Sequence, residues 1–113
     1  MARQYKIKTA WGADTLFDAK VAARQNGQLS KLTRWYTSLE IMKMATSRNA
    51  ELLALSGLRT PYEGKLGVVQ EGALADLLLM DGDPTADIAL IENPAKNRLV
   101  IIKDRVFYKN TAG

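Results

Sequence analysis

The residue of this sequence that is best placed to do chemistry is Asp14, within the stretch KTAWGADTLFD. Before it, apolar side chains alternate with lysines over Tyr5–Ala13, which predicts a β-strand whose last residues are buried on both faces. A carboxylate at the end of such a strand can bind a metal ion and accept a proton from its bound water. The same carboxylate could instead cap the following helix or lie in solvent at the strand end.

The residue types that usually accompany a catalytic carboxylate are missing from the sequence. There is no histidine and no cysteine, which removes serine–histidine and cysteine–histidine catalysis, histidine metal centres, zinc–thiolate sites and disulfides. Catalysis would have to use carboxylates, Lys, Tyr, Ser or Thr. Because a catalytic metal usually has about three protein ligands, Asp14 alone cannot hold one.

The composition predicts one globular domain without a nucleic-acid or membrane partner. The chain has 113 residues, 47% of them hydrophobic and 25% charged, which is typical of globular proteins. The net charge is +4, but the basic residues are scattered and form no dense run. No apolar run is long enough to span a membrane, and the N-terminal MARQYKIK has no apolar signal-peptide core. We therefore expect a cytoplasmic protein.

Helix signals dominate the first half of the chain. Asp18 is a predicted N-cap of a helix that runs to about Thr33, with Gly27 as a candidate break. The segment Thr37–Glu40 has the pattern of a capping box and predicts the start of another helix. That helix is expected to break near residues 47–49, and a short helix over residues 49–55 is expected to end at a left-handed Gly57.

The second half changes in character at Leu58, where Pro and Gly become frequent. Apolar runs predict short strands at Gly67–Gln70, between Asp76 and Asp81, at Leu99–Ile102 and at Val106–Tyr108. The fold class is therefore α+β. One strand and two or three helices occupy residues 1–57, a small antiparallel β half occupies residues 58–113, and the two form one compact unit.

Several other conspicuous residues have structural explanations. We expect Asp76 to accept hydrogen bonds from turn amides beside Gly72. The acids Asp81, Asp83 and Asp87 lack the remaining ligands of an EF-hand, so a turn is the better interpretation. We expect the pairs Trp35-Tyr36 and Met42/Met44 in the core or on a contact surface and not at a cofactor site.

Three stretches together carry a resemblance to a known family. KTAWGADTLFD, TSLEIMKMATSRNAELLALSG and GKLGVVQEGALADLLLMDGDP occur in this order with short spacers. They closely resemble the C-terminal end of metal-dependent amidohydrolases, particularly the imidazolonepropionase-like and Xaa-Pro-dipeptidase-like branch. The resemblance extends from about Lys6 to Asn110. One departure is Arg105 after Asp104, where relatives usually have Gly; an Arg in the left-handed region costs about 1 kcal/mol.

The resemblance implies a fold and a role for Asp14. In that family a TIM barrel holds one or two metals, mostly through histidines, and both chain termini build a β-sandwich. Asp14 matches the aspartate at the end of the last barrel strand, which binds metal and shuttles a proton. Residues 1–57 would then be the last barrel strand and its helices, and residues 58–113 the C-terminal sandwich strands. Zinc or another divalent metal belongs to the full-length family, and we expect no cofactor and no cofactor-binding residue in this chain.

Three functions remain open at this point. The chain could be a C-terminal amidohydrolase fragment that is silent alone, because a complete barrel needs roughly 250 residues. It could be an interaction module or the complementing half of a split hydrolase. It could also be a small enzyme that uses Asp14 with a Lys or Tyr. Strand edges and helix faces without partners predict a homo-oligomer, a dimer or larger, with strand exchange as one route, and a barrel fragment as a complementing partner.

Overall fold

The computed structural model describes all residues from Met1 to Gly113. It contains five short α-helices, three 3₁₀ turns and three β-strands. The helices are α1 Ala19–Ala22, α2 Gln25–Ser30, α3 Ser38–Ala45, α4 Ser47–Ala54 and α5 Pro94–Asn97. The 3₁₀ turns are Lys31–Arg34, Gly57–Arg59 and Ile88–Glu92, and the strands are β1 Leu77–Met80, β2 Arg98–Lys103 and β3 Val106–Asn110. The α+β class predicted from the sequence is confirmed.

The first helical segment begins where the sequence predicts but is interrupted elsewhere. The Asp18 carboxylate accepts hydrogen bonds from the amides of Lys20 and Val21, so it is the N-cap of α1. The interruption falls between α1 and α2 at residues 23–24, whereas Gly27 lies inside α2. Toward its end the segment tightens into the Lys31–Arg34 turn.

The capping box is present as predicted. The Thr37 hydroxyl accepts from the Glu40 amide, and the Glu40 carboxylate accepts from the Thr37 amide. The break after α3 falls at Thr46, just before the predicted position, and α4 begins at Ser47. Gly57 has the predicted left-handed conformation, with a φ of +54°, but it does not end the helix. Helix α4 ends at Ala54 with the right-handed Leu55 as its C-cap, and Gly57 begins the next 3₁₀ turn.

The sheet is antiparallel with the order β1-β2-β3. The turn between β2 and β3 places Asp104 and Arg105 at φ values of +49° and +67°, so the expected strain at Arg105 is present. The Asp76 carboxylate accepts a hydrogen bond from the Asp104 amide at 2.9 Å. Asp76 therefore supports the hairpin turn, and the prediction that it binds amides beside Gly72 is wrong. Asp104 and Asp76 together raise the pKa of Lys103, which lies between them.

Two of the predicted strands do not form. Residues 7–15 make no ladder with any strand, and residues 2–6 form turns instead. A strand needs a neighbouring strand to bond with, and none of the three strands of the sheet pairs with these residues. The strand predicted at Gly67–Gln70 is also absent: Gly67 has a φ of +71°, and the only pairing nearby is one isolated bridge between Lys65 and Ala73.

The core is small and draws on both halves of the chain. We call its centre the nucleus, which consists of Leu29, Ile41, Ile88 and Ile91. Met44 and Val100 are also buried. Of the pairs expected in the core or at a contact surface, Tyr36 and Met42 pack against the nucleus, whereas Trp35 is exposed.

The chain exposes far more surface than a closed domain of its size. A folded monomer of 12.5 kDa exposes about 6,200 Å², whereas this chain exposes 8645 Å² and buries only seven residues. Its radius of gyration is 14.9 Å, against about 13 Å for a compact domain of this length. The excess of about 2,500 Å² includes many large apolar side chains. No helix is long and apolar enough to cross a membrane.

Candidate active-site residue Asp14 and its surroundings

Asp14 follows the extended segment that carries Trp11 and faces solvent. Its φ is +45°, in the left-handed region that Asp tolerates better than most residues. Its side chain is exposed and makes no hydrogen bond or ion pair within the chain. The helix that follows is capped by Asp18 and not by Asp14. The capping explanation for Asp14 therefore does not apply, and the carboxylate is free to meet another group.

The residues just before Asp14 are held in place by a side chain that the sequence analysis did not single out. The Asn49 amide in α4 accepts from the Trp11 backbone N–H and donates to the Trp11 carbonyl, both at 3.0 Å. This pair of bonds imitates one rung of a β-ladder. The Trp11 ring packs against the nucleus. One signal was available: an Asn inside a helix pattern often serves a hydrogen bond elsewhere, because Asn is a poor helix former.

The residues around Asp14 do not fit a catalytic metal. The chain has no histidine or cysteine, and no group of three or more potential acidic ligands lies close enough to hold an ion. Since about three protein ligands are needed, Asp14 lacks the partners that would make a centre within this chain. We derive no catalytic step through a metal from these residues alone.

A metal-independent enzyme that combines Asp14 with a lysine or tyrosine is not supported by the geometry. No lysine or tyrosine bonds to the Asp14 carboxylate. Lys8, the lysine closest in sequence on the N-terminal side, binds Glu51 in α4 at 2.8 Å. A general base has to be within hydrogen-bond reach of its partner, so the arrangement offers no acid–base pair.

The other acidic residues singled out from the sequence belong to turns. Asp83 accepts from the Thr85 hydroxyl and amide, and these bonds hold the pKa of Asp83 below its usual range. Asp87 accepts from the Ala89 amide at the start of the Ile88–Glu92 turn. The interpretation of this acidic segment as turns is confirmed.

The cavities of the chain do not gather around Asp14. One cavity of about 780 Å³ lies beside α2 and is lined mainly by polar residues, with Ser30 bonded to Glu92 in its wall. Another of about 540 Å³ separates residues 8–10 from α4. Asp14 lines neither of them. A substrate pocket at Asp14 would need walls that these residues do not provide.

Comparison with known proteins identifies the fold. Neither a protein-family model nor a curated protein sequence matches the chain. Among solved structures, an amidohydrolase matches with a TM-score of 0.83 and 23% identity, over 98% of this chain and 25% of that one. An uncharacterized protein matches with a TM-score of 0.79 and 26% identity, over 96% and 24%. A prolidase complexed with N-methylphosphonate-L-proline matches with a TM-score of 0.77 and 26% identity, also over 96% and 24%.

These matches define the kind of protein to which the chain is similar. It has the fold of a fragment of an amidohydrolase-like protein, and the resemblance inferred from the three sequence motifs is confirmed. The chain spans only about a quarter of the length of the structures that it matches. An activity of the whole protein is therefore a separate question from the fold of this part.

Proposed function

We propose that this chain is the C-terminal segment of a metal-dependent amidohydrolase and is catalytically silent by itself. The observation that carries the proposal is the extent of the structural match: almost all of this chain corresponds to only a quarter of an amidohydrolase and of a prolidase. The order of the three motifs favours the C-terminal quarter. A carboxylate without further ligands, as at Asp14, is what one part of a composite metal site contributes.

The exposed surface supports the same proposal. Residues 7–13 have the sequence of a buried strand but no strand beside them. Large apolar side chains such as Leu55, Leu58 and Val69 are almost fully exposed. Monomeric proteins rarely leave so many large apolar side chains in water. A barrel with the missing strands would cover these groups and give the chain its function as a complementing half.

In the assembled enzyme, a histidine-bearing barrel would supply the other ligands of zinc or another divalent metal, and Asp14 would add one carboxylate. The reaction class we propose is hydrolysis of carbon–nitrogen bonds, peptide bonds included. The prolidase among the matched structures is in complex with N-methylphosphonate-L-proline, which favours dipeptides that end in proline as the first substrates to test. We also propose a cytoplasmic location, which cell fractionation with an antibody against the chain would test.

Reconstitution tests this function directly. The chain would be co-expressed with a histidine-bearing barrel segment of an amidohydrolase, and hydrolysis of Xaa-Pro dipeptides and N-acyl amino acids would be measured with and without zinc. We expect activity only in the zinc-loaded mixture. Asp14→Ala should lower it by at least about 100-fold, since a metal ligand and proton acceptor is lost.

Glu71→Ala provides the matched control. Glu71 is an exposed acid that makes no side-chain hydrogen bond or ion pair, so its loss should leave the reconstituted activity unchanged. Hydrolysis by the purified chain alone with zinc, abolished in Asp14→Ala, would overturn the proposal that it is silent. Assembly with the barrel but equal activity of Asp14→Ala and wild type would overturn the role of Asp14.

A further inference from the structure

The N-terminal residues of the chain have free backbone groups. We call Met1–Ala10 the arm. Residues 2–6 of the arm form turns, in which the Ile7 amide bonds to the Ala2 carbonyl, whereas the amides of Lys8, Thr9 and Ala10 make no hydrogen bond within the chain. The cavity of about 540 Å³ lies between this part of the arm and α4. The side chain of Ile7 is 59% exposed. The last residues of the arm thus have free backbone amides and no strand beside them.

The sheet offers a complementary edge at β1. This strand has one neighbour, β2, so alternate backbone groups of Leu77–Met80 point away from the sheet without a partner strand. Leu78 and Leu79 are 56% and 50% exposed. The strand contains no charge and no proline, the two devices that usually protect an edge. Its four residues are about as long as the free part of the arm, residues 8–10.

Charge favours pairing of the arm with β1 over pairing with the other edge of the sheet, β3. The arm carries Arg3, Lys6 and Lys8 and no acidic residue, whereas β1 is flanked by Asp76 and Asp81. The opposite edge, β3, follows Arg105 and contains Lys109. A basic strand is therefore attracted to β1 and repelled from β3.

Charge also disfavours pairing of β1 with β1 of a second copy. If two β1 strands pair antiparallel with Leu78 opposite Leu79, Asp76 of one copy lies opposite Asp81 of the other. Like charges directly opposite one another destabilise a strand pair. A strand that brings lysines removes this repulsion and fills the same edge.

We propose that two copies of this chain form a dimer by exchanging their arms, each arm adding a strand to the β1 edge of the other copy. The Trp11–Asn49 bonds fix the base of the arm, so the residues before Trp11 swing out while the rest of the fold is kept. The exchange gives up three mostly exposed contacts of the arm: the Lys8–Glu51 bridge, the Arg3–Glu40 ion pair at 3.7 Å and the hydrogen bond from Arg3 to the Trp35 carbonyl at 3.4 Å. Exposed ion pairs contribute little to stability. The arrangement is symmetric and closes after two copies.

The area balance agrees with a stable dimer. A standard interface buries about 800 Å² on each partner, and this chain exposes about 2,500 Å² more than a closed domain of its mass. The exchanged arms would cover Ile7 and part of Leu78 and Leu79. A histidine-bearing barrel would compete with the exchange, so the dimer describes the chain without its complement.

Because the chain has no cysteine, engineered disulfides can locate the contact. Full-length Thr9→Cys and Ala10→Cys proteins, whose side chains alternate along the arm, would each be tagged, mixed with untagged Leu78→Cys protein and oxidised. We expect one of the two arm variants to form a disulfide with Leu78→Cys. Tyr108→Cys on β3 is the matched control, and it should not cross-link to the arm.

Light scattering on full-length variants provides the second measurement. We expect wild type to be a dimer at low ionic strength, and Lys6→Glu/Lys8→Glu to raise the dissociation constant about tenfold. Lys20→Glu/Lys43→Glu carries the same charge change on exposed helix positions and should leave the dimer intact. A monomeric wild type, a cross-link to Tyr108→Cys, or equal effects of the two lysine pairs would overturn the proposal.

Discussion

The nucleus and the arm of this protein differ in how completely their apolar side chains are buried and their backbone groups hydrogen-bonded. In the nucleus, Ile41 and Ile88 are 0% and 1% exposed, and the helix that carries Ile41 begins with a complete capping box. In the arm, the backbone of residues 8–10 has no hydrogen-bond partner, and Tyr5 and Ile7 are mostly exposed. The two regions belong to one short chain, yet only the nucleus has its side chains buried and its backbone hydrogen-bonded.

The difference shows which contacts this chain supplies for itself. The nucleus joins residues from both halves of the sequence, from Leu29 to Ile91, and these side chains are buried without another polypeptide. The arm and the residues up to Asp14 have the composition of a strand, but the neighbouring strands must come from elsewhere. Under the proposed function they come from a barrel, and without the barrel they come from a second copy.

The largest effect that distinguishes the two regions is the loss of a core side chain. Ile41→Ala removes a fully buried side chain and should lower the free energy of unfolding by about 2–5 kcal/mol, because it leaves a cavity in the nucleus. Ile7→Ala is the matched change in the arm and should cost less than about 0.5 kcal/mol in the monomer. Urea unfolding followed by circular dichroism, in dilute protein, measures both.

Equal losses of stability in the two variants would break the comparison. They would mean that the arm is packed as tightly as the nucleus in solution. A cost at Ile7 that appears only at high protein concentration would sharpen the comparison instead, because it would place Ile7 in a contact between copies.

Local signals in the sequence predicted the parts of the fold that are locally determined. Asp18 and the Thr37–Glu40 box cap helices because each bond joins residues two or three positions apart. The hairpin of β2 and β3 is equally local. The strands predicted at Tyr5–Ala13 and Gly67–Gln70 failed because a strand is completed by a neighbour, and a one-chain pattern does not show whether that neighbour is present.

Part of the candidate site could likewise be predicted from the sequence, and part could not. The position of Asp14 after an apolar extended segment follows from the sequence, and its proposed role follows from the resemblance. The Asn49 bonds to Trp11 join residues 38 positions apart and have no local pattern. The ligands that would accompany Asp14 are histidines, which this sequence does not contain, so no reasoning on these 113 residues could place them.

A smaller effect is expected at the junction between the two regions. Asn49→Ala removes both hydrogen bonds to Trp11 and should lower stability by about 1–2 kcal/mol, since two partly buried backbone groups lose their partner. Hydrogen exchange of the Trp11 amide should become faster, and the fluorescence of Trp11 should shift to the red. A matched control is Asn26→Ala in α2, because the Asn26 side chain makes no hydrogen bond. If both variants behave alike, the Asn49 bonds do not anchor the arm.

The smallest effects concern two glutamates: Glu40, in the helix that carries Ile41 of the nucleus, and Glu51 in α4, which binds Lys8 of the arm. The amide and hydroxyl of Thr37 hold the pKa of Glu40 below its usual range, and Lys8 of the arm does the same for Glu51. A carboxyl whose pKa is lower in the folded state stabilises that state above its unfolded pKa. This stabilisation is lost as the pH falls through the folded pKa. Glu40→Gln and Glu51→Gln should each flatten the loss of stability below about pH 4.3.

High salt should remove the contribution of Glu51 to stability but not that of Glu40. The Lys8–Glu51 bridge is an exposed ion pair, so at about 1 M salt, where the Debye length is about 3 Å, its contribution should disappear. The Glu40 carboxylate accepts hydrogen bonds from the Thr37 amide at 2.8 Å and from the Thr37 hydroxyl at 3.0 Å, so its pH dependence should remain. Urea unfolding from pH 3 to 7 at low and high salt measures this for both variants. If high salt erases the effect of Glu40→Gln as fully as that of Glu51→Gln, the helix cap is no better satisfied than the arm.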